Sequence, residues 1–391
     1  MEIGNWSFTM SGIITIIALL LLISVLVFVH ELGHFLAAKL QGIPVKEFAI
    51  GFGRKLFSFK RGETLYALRV IPLGGFVELE GESTGEFRNR PAYQKLIVMF
   101  AGVFMNVLFA VIVLGLYLPK LDYVFSLPAI VEFNFTGTQQ QEKAFPLTAL
   151  EILDYSAAKG DIEVGESIIG IDGTRFENFA QFKDLLDENR GTEKEFEFIN
   201  LQTIETYTKT VSLGDPQSDE EGVLGVLFDG QLSDVGQSGY FVKYNPTFLS
   251  GVSLTYDIAK FQVKAIGSLL SNSFKTGDFT EVGENVGGLP AISSQVSQVV
   301  ELGDLSILIP LAAIISISLA IFNILPLPAL DGGQALIVIL ETILRRKISD
   351  DVIGKINLAG FIFLIALALL INVKDLFQFG WIDSVLNIFR R

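Results

Sequence analysis

The chain has 391 residues, half of them hydrophobic, and its mean hydropathy is +0.50. This composition is too apolar for an ordinary soluble enzyme, and the length allows a membrane part plus one separate domain. The net charge of −14 is uneven, because residues 119–304 hold 29 acidic against 12 basic side chains. The remainder is slightly basic, and nucleic acid is excluded as a partner. Since the chain has no cysteine, a transition metal would need imidazole and carboxylate ligands.

Four segments have the length and hydropathy of transmembrane helices. They run over residues 10–29, 96–118, 305–325 and 356–373. The first lacks the basic start and the cleavage site of a signal peptide, so we expect it to stay in place. The sequence predicts a multi-spanning α-helical membrane protein with about four transmembrane helices in a lipid bilayer.

The first span leads into the sequence HELGH, which contains the only two histidines of the chain. Residues i and i+4 share one face of a helix, so His30 and His34 can bind one metal ion. Glu31 lies close enough to act as general base on the attacking water. A pair of ordinary core histidines is the alternative, but ionisable groups at membrane depth are costly and rarely lack a role. The pattern predicts a zinc protease site inside the membrane.

Loop charges predict the orientation of the chain. Ten Lys or Arg residues lie in 39–95 and four more join the last two spans, whereas none precedes the first span. By the positive-inside rule, both connections are cytoplasmic. We expect the active site to open to the cytoplasmic side of the cell (inner) membrane.

The acidic region after the second span shows a turn and strand within 156–171, the hairpin turn Asp172-Gly173, helical spacing over 179–188 and strand alternation over 206–213. Its residues 156–173 resemble the core of a bacterial PDZ domain. We expect one extracytoplasmic PDZ domain at about 125–213, because residues 214–237 are acidic and loop-like. A spacer without a recognition role is the alternative.

A helix is predicted to follow, from Asn245-Pro246 to Leu270. One of its faces is apolar and suited to the membrane surface. This face consists of Phe248, Val252, Ile258, Phe261, Ala265 and Leu269.

The third span ends in NILPLPALDGG, residues 323–333. Its prolines break the helix, and a broken helix inside a membrane needs protein or water to satisfy its backbone groups. Catalytic zinc usually takes three protein ligands, and with both histidines used the third must be an acid. Asp331 is the candidate, on the same side of the membrane as the histidines. Capping of a helix that begins at Gly332 is its alternative role.

HELGH in one span and NxxPxPxLDG in a later one together resemble the site-2 proteases (M50-type), and more narrowly the RseP-like regulated intramembrane zinc metalloproteases. The resemblance implies that His30, His34 and Asp331 hold one Zn²⁺ per chain. It also implies that Glu31 is the general base and that Asn323 steadies the substrate backbone.

The resemblance extends to the connection between the first two spans. It implies membrane-associated β-hairpins with Gly74 and Gly75 near the substrate, where an edge strand can bind an unwound segment by β-addition. An ordinary turn is the alternative for these glycines. In the second span, AGVFMN resembles the family's Ala-Gly-Pro-x-x-Asn, with Val103 in place of proline. Helix packing is the alternative role of Gly102 and Asn106.

These features predict an intramembrane zinc endopeptidase that cleaves single-span transmembrane proteins. The resemblance implies anti-sigma-factor-like substrates, trimmed beforehand by another protease, or remnant signal peptides, in regulated intramembrane proteolysis. A catalytically silent PDZ membrane scaffold is the alternative, which the intact motif disfavours. The predicted organisation is a first membrane part (1–118), an outer region (119–244), a linker (245–304) and a second membrane part (305–391).

Overall fold

The computed structural model describes residues 10–80, 86–215, 222–229 and 238–378. Its helices are α1 (Met10–Leu40), α2 (Glu86–Asn89), α3 (Ala92–Tyr117), α4 (Phe179–Asp187), α5 (Ser250–Thr276), α6 (Thr280–Asn285), α7 (Leu289–Leu302), α8 (Leu308–Ile324), α9 (Asp331–Leu344) and α10 (Asp350–Gln378). Its strands are β1 (Val45–Arg61), β2 (Thr64–Leu79), β3 (Val124–Pro128), β4 (Thr138–Ala144), β5 (Leu147–Ile152), β6 (Ser167–Ile171), β7 (Thr174–Arg175), β8 (Glu193–Ile199), β9 (Thr206–Ser212), β10 (Val226–Phe228) and β11 (Gly239–Tyr244). The described residues form two compact units, divided at 114/115 and 257/258.

Four helices of the described chain are long and apolar enough to cross a membrane: Met10–Leu40, Ala92–Leu121, Leu305–Ile324 and Asp350–Gln378. Each overlaps a predicted span, which confirms the predicted class of membrane protein. The first helix continues well past the predicted end at Val29, so HELGH lies inside it. Residues 379–391, the end of the predicted second membrane part, lie outside the described residues.

Close helix packing joins α1 to its neighbours. Leu22 and Leu26 of α1 pack with Val296 of α7 and Ala312 of α8 in one apolar cluster. At Gly33, an added Cβ would lie 2.3 Å from the carbonyl oxygen of Ala101. Only glycine lets α1 and α3 approach this closely.

Strands β1 and β2 form a folded sheet beside α1. Val45–Ile50 pairs antiparallel with Gly75–Leu79, and the distal part of β1, Lys55–Arg61, pairs with Thr64–Arg69. Among the described residues, Gly75–Leu79 pairs on one side only. The alternative of an ordinary turn at Gly74-Gly75 is therefore wrong, since both glycines lie within β2 and Gly75 begins its edge segment.

Glu47 holds the folded sheet together. Its carboxylate accepts hydrogen bonds from Arg69 at 2.6 Å and Lys55 at 3.1 Å. Burial opposes the ionisation of Glu47, but the two cations outweigh it and hold the pKa of this carboxyl below its usual range. Glu47 therefore forms ion pairs with Arg69 and Lys55 within the sheet.

The second unit contains two sheets. One has the order β10-β5-β6-β8-β9, with β7 on β6, and the other has the order β3-β11-β4. The strand at 167–171, the turn at Asp172-Gly173 and the helix at Phe179–Asp187 lie where they were predicted. Asn178 caps this helix by accepting from the backbone N–H of Gln181.

The boundaries expected for the PDZ-like part differ from the larger sheet. Residues 125–128 belong to β3 in the smaller sheet, and residues 226–228, expected in a loop, form the edge strand β10. The larger sheet therefore runs from Leu147 to Phe228. Three residues are too few to show strand alternation in sequence; β10 is held because Val226 and Phe228 are buried in the core.

Helix α5 also departs from its prediction. It begins at Ser250 rather than Asn245, and it extends to Thr276. Four residues of the predicted apolar face are buried in the protein, namely Ile258, Phe261, Ala265 and Leu269. The expectation that this apolar face lies on the membrane surface is therefore wrong for most of its length.

Candidate metal centre

Three side-chain donor atoms converge from distant parts of the sequence. His30 Nε2 lies 3.2 Å from His34 Nε2, and Asp331 Oδ2 lies 3.1 Å and 3.4 Å from these two nitrogens. Ligands of a tetrahedral Zn²⁺ with bonds of about 2.0–2.1 Å are separated by about 3.3 Å. The spacing thus matches three corners of a zinc coordination sphere.

The link between α8 and α9 places Asp331. A Cβ added at Gly332 would lie 2.2 Å from the carbonyl oxygen of Ile324, and one at Gly333 would lie 2.0 Å from that of Leu327. The chain can therefore fold back tightly only with glycines here. Helix α9 begins at Asp331 itself, its N-cap is Leu330, and no side chain caps it. The alternative role of Asp331 as a helix cap is therefore wrong.

Helix α3 packs along both imidazoles. His34 Nδ1 donates a hydrogen bond to the carbonyl oxygen of Val98 at 2.8 Å, and the Asn106 side chain lies 3.2 Å from His30 Nδ1. Between them, a Cβ at Gly102 would lie 2.4 Å from His34 Nε2. The ring atoms that face Asp331 are the Nε2 atoms, because the Nδ1 atoms face α3.

The surroundings of the Asp331 carboxylate fit the role of a metal ligand. Its Oδ2 atom is buried and lacks any hydrogen bond of acceptable geometry, although it lies 3.1 Å from His30 Nε2. Such a contact, in which no N–H points at the oxygen, is expected when His30 Nε2, His34 Nε2 and Asp331 Oδ2 all point to one ion. Within the described chain, these residues are the one group of His and acidic side chains that could hold a metal. The donor set of two imidazoles and one carboxylate fits catalytic zinc.

The predicted site residues line one cavity of about 940 Å³. Besides the three donors, its wall includes Glu31, Asn323, Gly74 and Gly75. A Cβ added at Gly75 would lie 3.0 Å from Glu31 Cγ, so the edge strand passes directly beside the predicted base. The structure brings all seven predicted residues together.

Sequence reasoning missed another part of the cavity wall, which includes Arg88, Gln334 and Asn357. Arg88 binds the buried Glu341 with two hydrogen bonds of 2.7 Å and 3.1 Å, and it also donates to the carbonyl oxygen of Ile348. Gln334, one turn after Asp331, donates to Asn357 at 2.8 Å. These contacts tie α2, α9 and α10 together, and no local motif marks them, because the partners are far apart in sequence.

The fold and the site are those of a membrane protein with three candidate metal donors, two on the spanning helix α1 and one at the start of α9. The profile of peptidase family M50 matches residues 18–367. The chain belongs to this family, the site-2 proteases, and is a zinc metalloprotease. This match and the zinc metalloproteases named below confirm the predicted family, enzyme class and cofactor.

Relatives match nearly the whole chain. A Clostridium perfringens protein named as a zinc metalloprotease is 33% identical over 371 residues, which cover 92% of this chain and 98% of that one. A similarly named Fusobacterium nucleatum protein is 30% identical over 93% of this chain and 99% of its own. A chloroplastic protein of Arabidopsis thaliana, named as a membrane metalloprotease, is 29% identical over 93% of this chain and 80% of its own.

Among solved structures, the PDZ domain of an SdrC-like protein from Listeria monocytogenes is similar to part of the chain. It is 17% identical and covers 26% of this chain and 97% of that chain, with a TM-score of 0.20.

Proposed function

We propose that this zinc metalloprotease cleaves single-span transmembrane proteins within or near their membrane segment. The observation that carries the proposal is one cavity whose wall holds three metal donors, the Glu31 carboxylate and the strand edge Gly75–Leu79, which pairs on one side only among the described residues. All of these groups belong to the unit that contains three of the spanning helices and most of the fourth. The proposal therefore combines zinc chemistry and a backbone-binding surface in the membrane part of the chain.

In this proposal the polar site residues act as metal ligands, as the general base and as a group that binds the substrate backbone. His30, His34 and Asp331 hold Zn²⁺, which when bound supplies a Lewis acid for the scissile carbonyl and lowers the pKa of water. Glu31 removes the proton of the attacking water and delivers it to the leaving amine nitrogen. Asn323, on the same wall, steadies the substrate backbone with its amide.

The edge strand Gly75–Leu79 explains how a helical substrate can be bound. Peptide bonds in a helix are hydrogen-bonded within the helix, so a transmembrane substrate must unwind before hydrolysis. An extended segment can then pair with the free edge by strand addition. Gly75 leaves no room for a side chain, because Ala49, Glu31 and Val27 atoms lie within 3.0 Å of its missing Cβ. The substrate backbone can therefore lie close to the base.

Substrate choice and orientation complete the proposal. We place the cavity toward the cytoplasmic side of the inner membrane and the second unit outside, since basic residues concentrate in 39–95 and in the link before α10. Anti-sigma-factor-like proteins and remnant signal peptides, trimmed first by another protease, are the proposed substrates of this regulated intramembrane proteolysis.

The second unit would act as a peptide-binding PDZ domain. Its edge strand β10 lies beside α4, where Phe182 and Phe228 are in edge contact at 5.4 Å. A PDZ groove binds a peptide by adding it to such an edge strand, with the new carboxyl end held by backbone amides. A trimmed substrate carries such an end.

Glu31→Gln tests the proposal. We expect the purified, lipid-reconstituted variant to keep one zinc per chain and to lose cleavage of a single-span substrate, because glutamine does not accept the proton of water. The matched control is Glu63→Gln, at the β1–β2 turn. Near wild-type turnover by Glu31→Gln contradicts the role of Glu31. A wild-type chain without proteolysis on any membrane substrate, but with binding of trimmed carboxyl ends, would favour the scaffold.

A further inference from the structure

Helix α3 contacts each histidine at its Nδ1 atom, and the two contacts differ in chemistry. His34 Nδ1 faces the carbonyl oxygen of Val98 at 2.8 Å. A carbonyl only accepts, so this imidazole carries its proton on Nδ1 and leaves the lone pair of Nε2 for a metal. His30 Nδ1 instead faces the amide nitrogen of Asn106 at 3.2 Å.

The amide orientation of Asn106 is inconsistent with zinc binding by His30. With Nδ2 donating to Nδ1, the neutral ring would carry its proton on Nε2, the atom that faces His34 and Asp331. At the same time Asn106 Oδ1 is buried and has no hydrogen-bond partner. A half-turn of the amide exchanges the two atoms and places an acceptor beside His30 Nδ1. Both imidazoles then donate from Nδ1 to α3 and present Nε2 to the ion.

We propose that Asn106 is a positioning residue whose side-chain oxygen accepts the Nδ1–H of His30 and thereby directs Nε2 to the metal. The inference rests on the proposed role of His30, His34 and Asp331 as zinc ligands. Outer hydrogen-bond partners of this kind set the tautomer and the orientation of metal-bound histidines.

The surroundings of Asn106 support this role. The residue is fully buried, at 0% exposure, and its own backbone oxygen accepts a hydrogen bond from Ser316 of α8 at 3.0 Å. Val98, Gly102 and Asn106 are spaced four residues apart, so one face of α3 meets both rings. A buried amide in a spanning helix has few hydrogen-bond partners available. The partner that faces Asn106 is His30 of α1.

The tautomer can be measured directly, because the chain has only two histidines. We would label histidine with ¹⁵N in the full chain, purified with a histidine-free tag, and record imidazole NMR spectra with and without Zn²⁺. We expect both rings to show a protonated Nδ1 and a zinc-bound Nε2. A proton on Nε2 of His30, or zinc on its Nδ1, overturns the proposal without any variant.

Two substitutions and a control extend the test to metal affinity. Asn106→Leu removes the acceptor at similar size, and we expect zinc affinity, measured by chelator competition, to fall about 10- to 100-fold, with only the His30 signals shifted. Asn106→Asp keeps an acceptor, and we expect affinity within about threefold of wild type. Ser316→Ala removes the neighbouring helix contact and is expected to leave affinity and both signals unchanged.

The outcomes separate this inference from the proposed zinc site. Unchanged affinity and spectra in Asn106→Leu, or an equal loss in Asn106→Asp or Ser316→Ala, overturn the role of Asn106. If Asn106→Leu does not fold, the wild-type tautomer and Asn106→Asp decide. If Zn²⁺ shifts neither imidazole, the ligand assignment itself fails.

Discussion

Gly102→Ala adds one methyl group at the point where α3 meets the metal centre. The added Cβ would lie 2.4 Å from His34 Nε2 and 2.7 Å from His30 Cε1. Alanine normally stabilises a helix by about 1 kcal/mol relative to glycine. At Gly102 the added methyl carbon would instead overlap the imidazole atoms that face the ion.

The size of the effect follows from these distances. Relieving a 2.4 Å contact to an ordinary van der Waals distance of about 3.4 Å requires a movement of about 1 Å. Zinc–ligand distances tolerate only about 0.2 Å, so the ring cannot move this far and still bind the ion. Overpacking costs about 1–3 kcal/mol, which offsets the helix gain. We expect zinc occupancy to drop and cleavage to fall by about 100-fold or more.

Gly267→Ala is the matched control for this variant. It makes the same change in α5, where no atom lies within 4 Å of the added Cβ. Zinc content per chain and the cleavage rate of a reconstituted single-span substrate would be measured for both variants. One zinc per chain and wild-type cleavage in Gly102→Ala would refute the close packing of α3 on the histidines.

Three further predictions concern other parts of the molecule. Asp331→Ala should lose zinc in chelator competition and lose cleavage, because two imidazoles leave the ion under-coordinated; normal binding would place the third ligand elsewhere. Glu47→Gln should cost the β1–β2 sheet about 1–3 kcal/mol, seen as faster hydrogen exchange there with zinc content unchanged. In the second unit, burial opposes the ionisation of Glu166, but hydrogen bonds from Lys209, a backbone N–H and Tyr207 hold its pKa below the ordinary 4.5. The stabilisation contributed by ionised Glu166 is complete above pH 4.5 and is lost as the pH falls through the lowered pKa. Glu166→Gln should remove this contribution, so the rate of amide hydrogen exchange in β6 should depend less on acid pH.

The metal centre was the part of the structure most accessible from sequence. Spacing on one helix predicts that His30 and His34 share a face, and the absence of other histidines and of cysteine leaves only an acid as third ligand. Asp331 is nevertheless 297 positions beyond His34, and its selection depended on the helix break before it and on its predicted side of the membrane, with which the resemblance agrees. Chemistry thus narrows the candidates to a few residues even when the contact is distant.

The parts that escaped prediction depend on tertiary packing. Strand β10 has three residues and is held by the burial of Val226 and Phe228, which a periodicity argument does not detect. The apolar face of α5 has the spacing expected for a membrane surface, but a protein core demands the same spacing. The acceptor for His34 is the backbone carbonyl of Val98, and a carbonyl has no sequence signature.

The glycines around the metal centre explain how so polar a site can form within packed helices. Backbone atoms occupy the space that a side chain would need at Gly33, Gly332 and Gly333, and imidazole atoms occupy it at Gly102. Close backbone approach brings α1, α3 and the start of α9 near enough for short donors to reach a common point. Alanine at any of these positions would separate the elements by about 1 Å, several times the tolerance of a zinc site. In this region glycine therefore determines metal geometry as directly as the ligands do, and variants at Gly33 and Gly332 should resemble Gly102→Ala in losing zinc before they lose the fold.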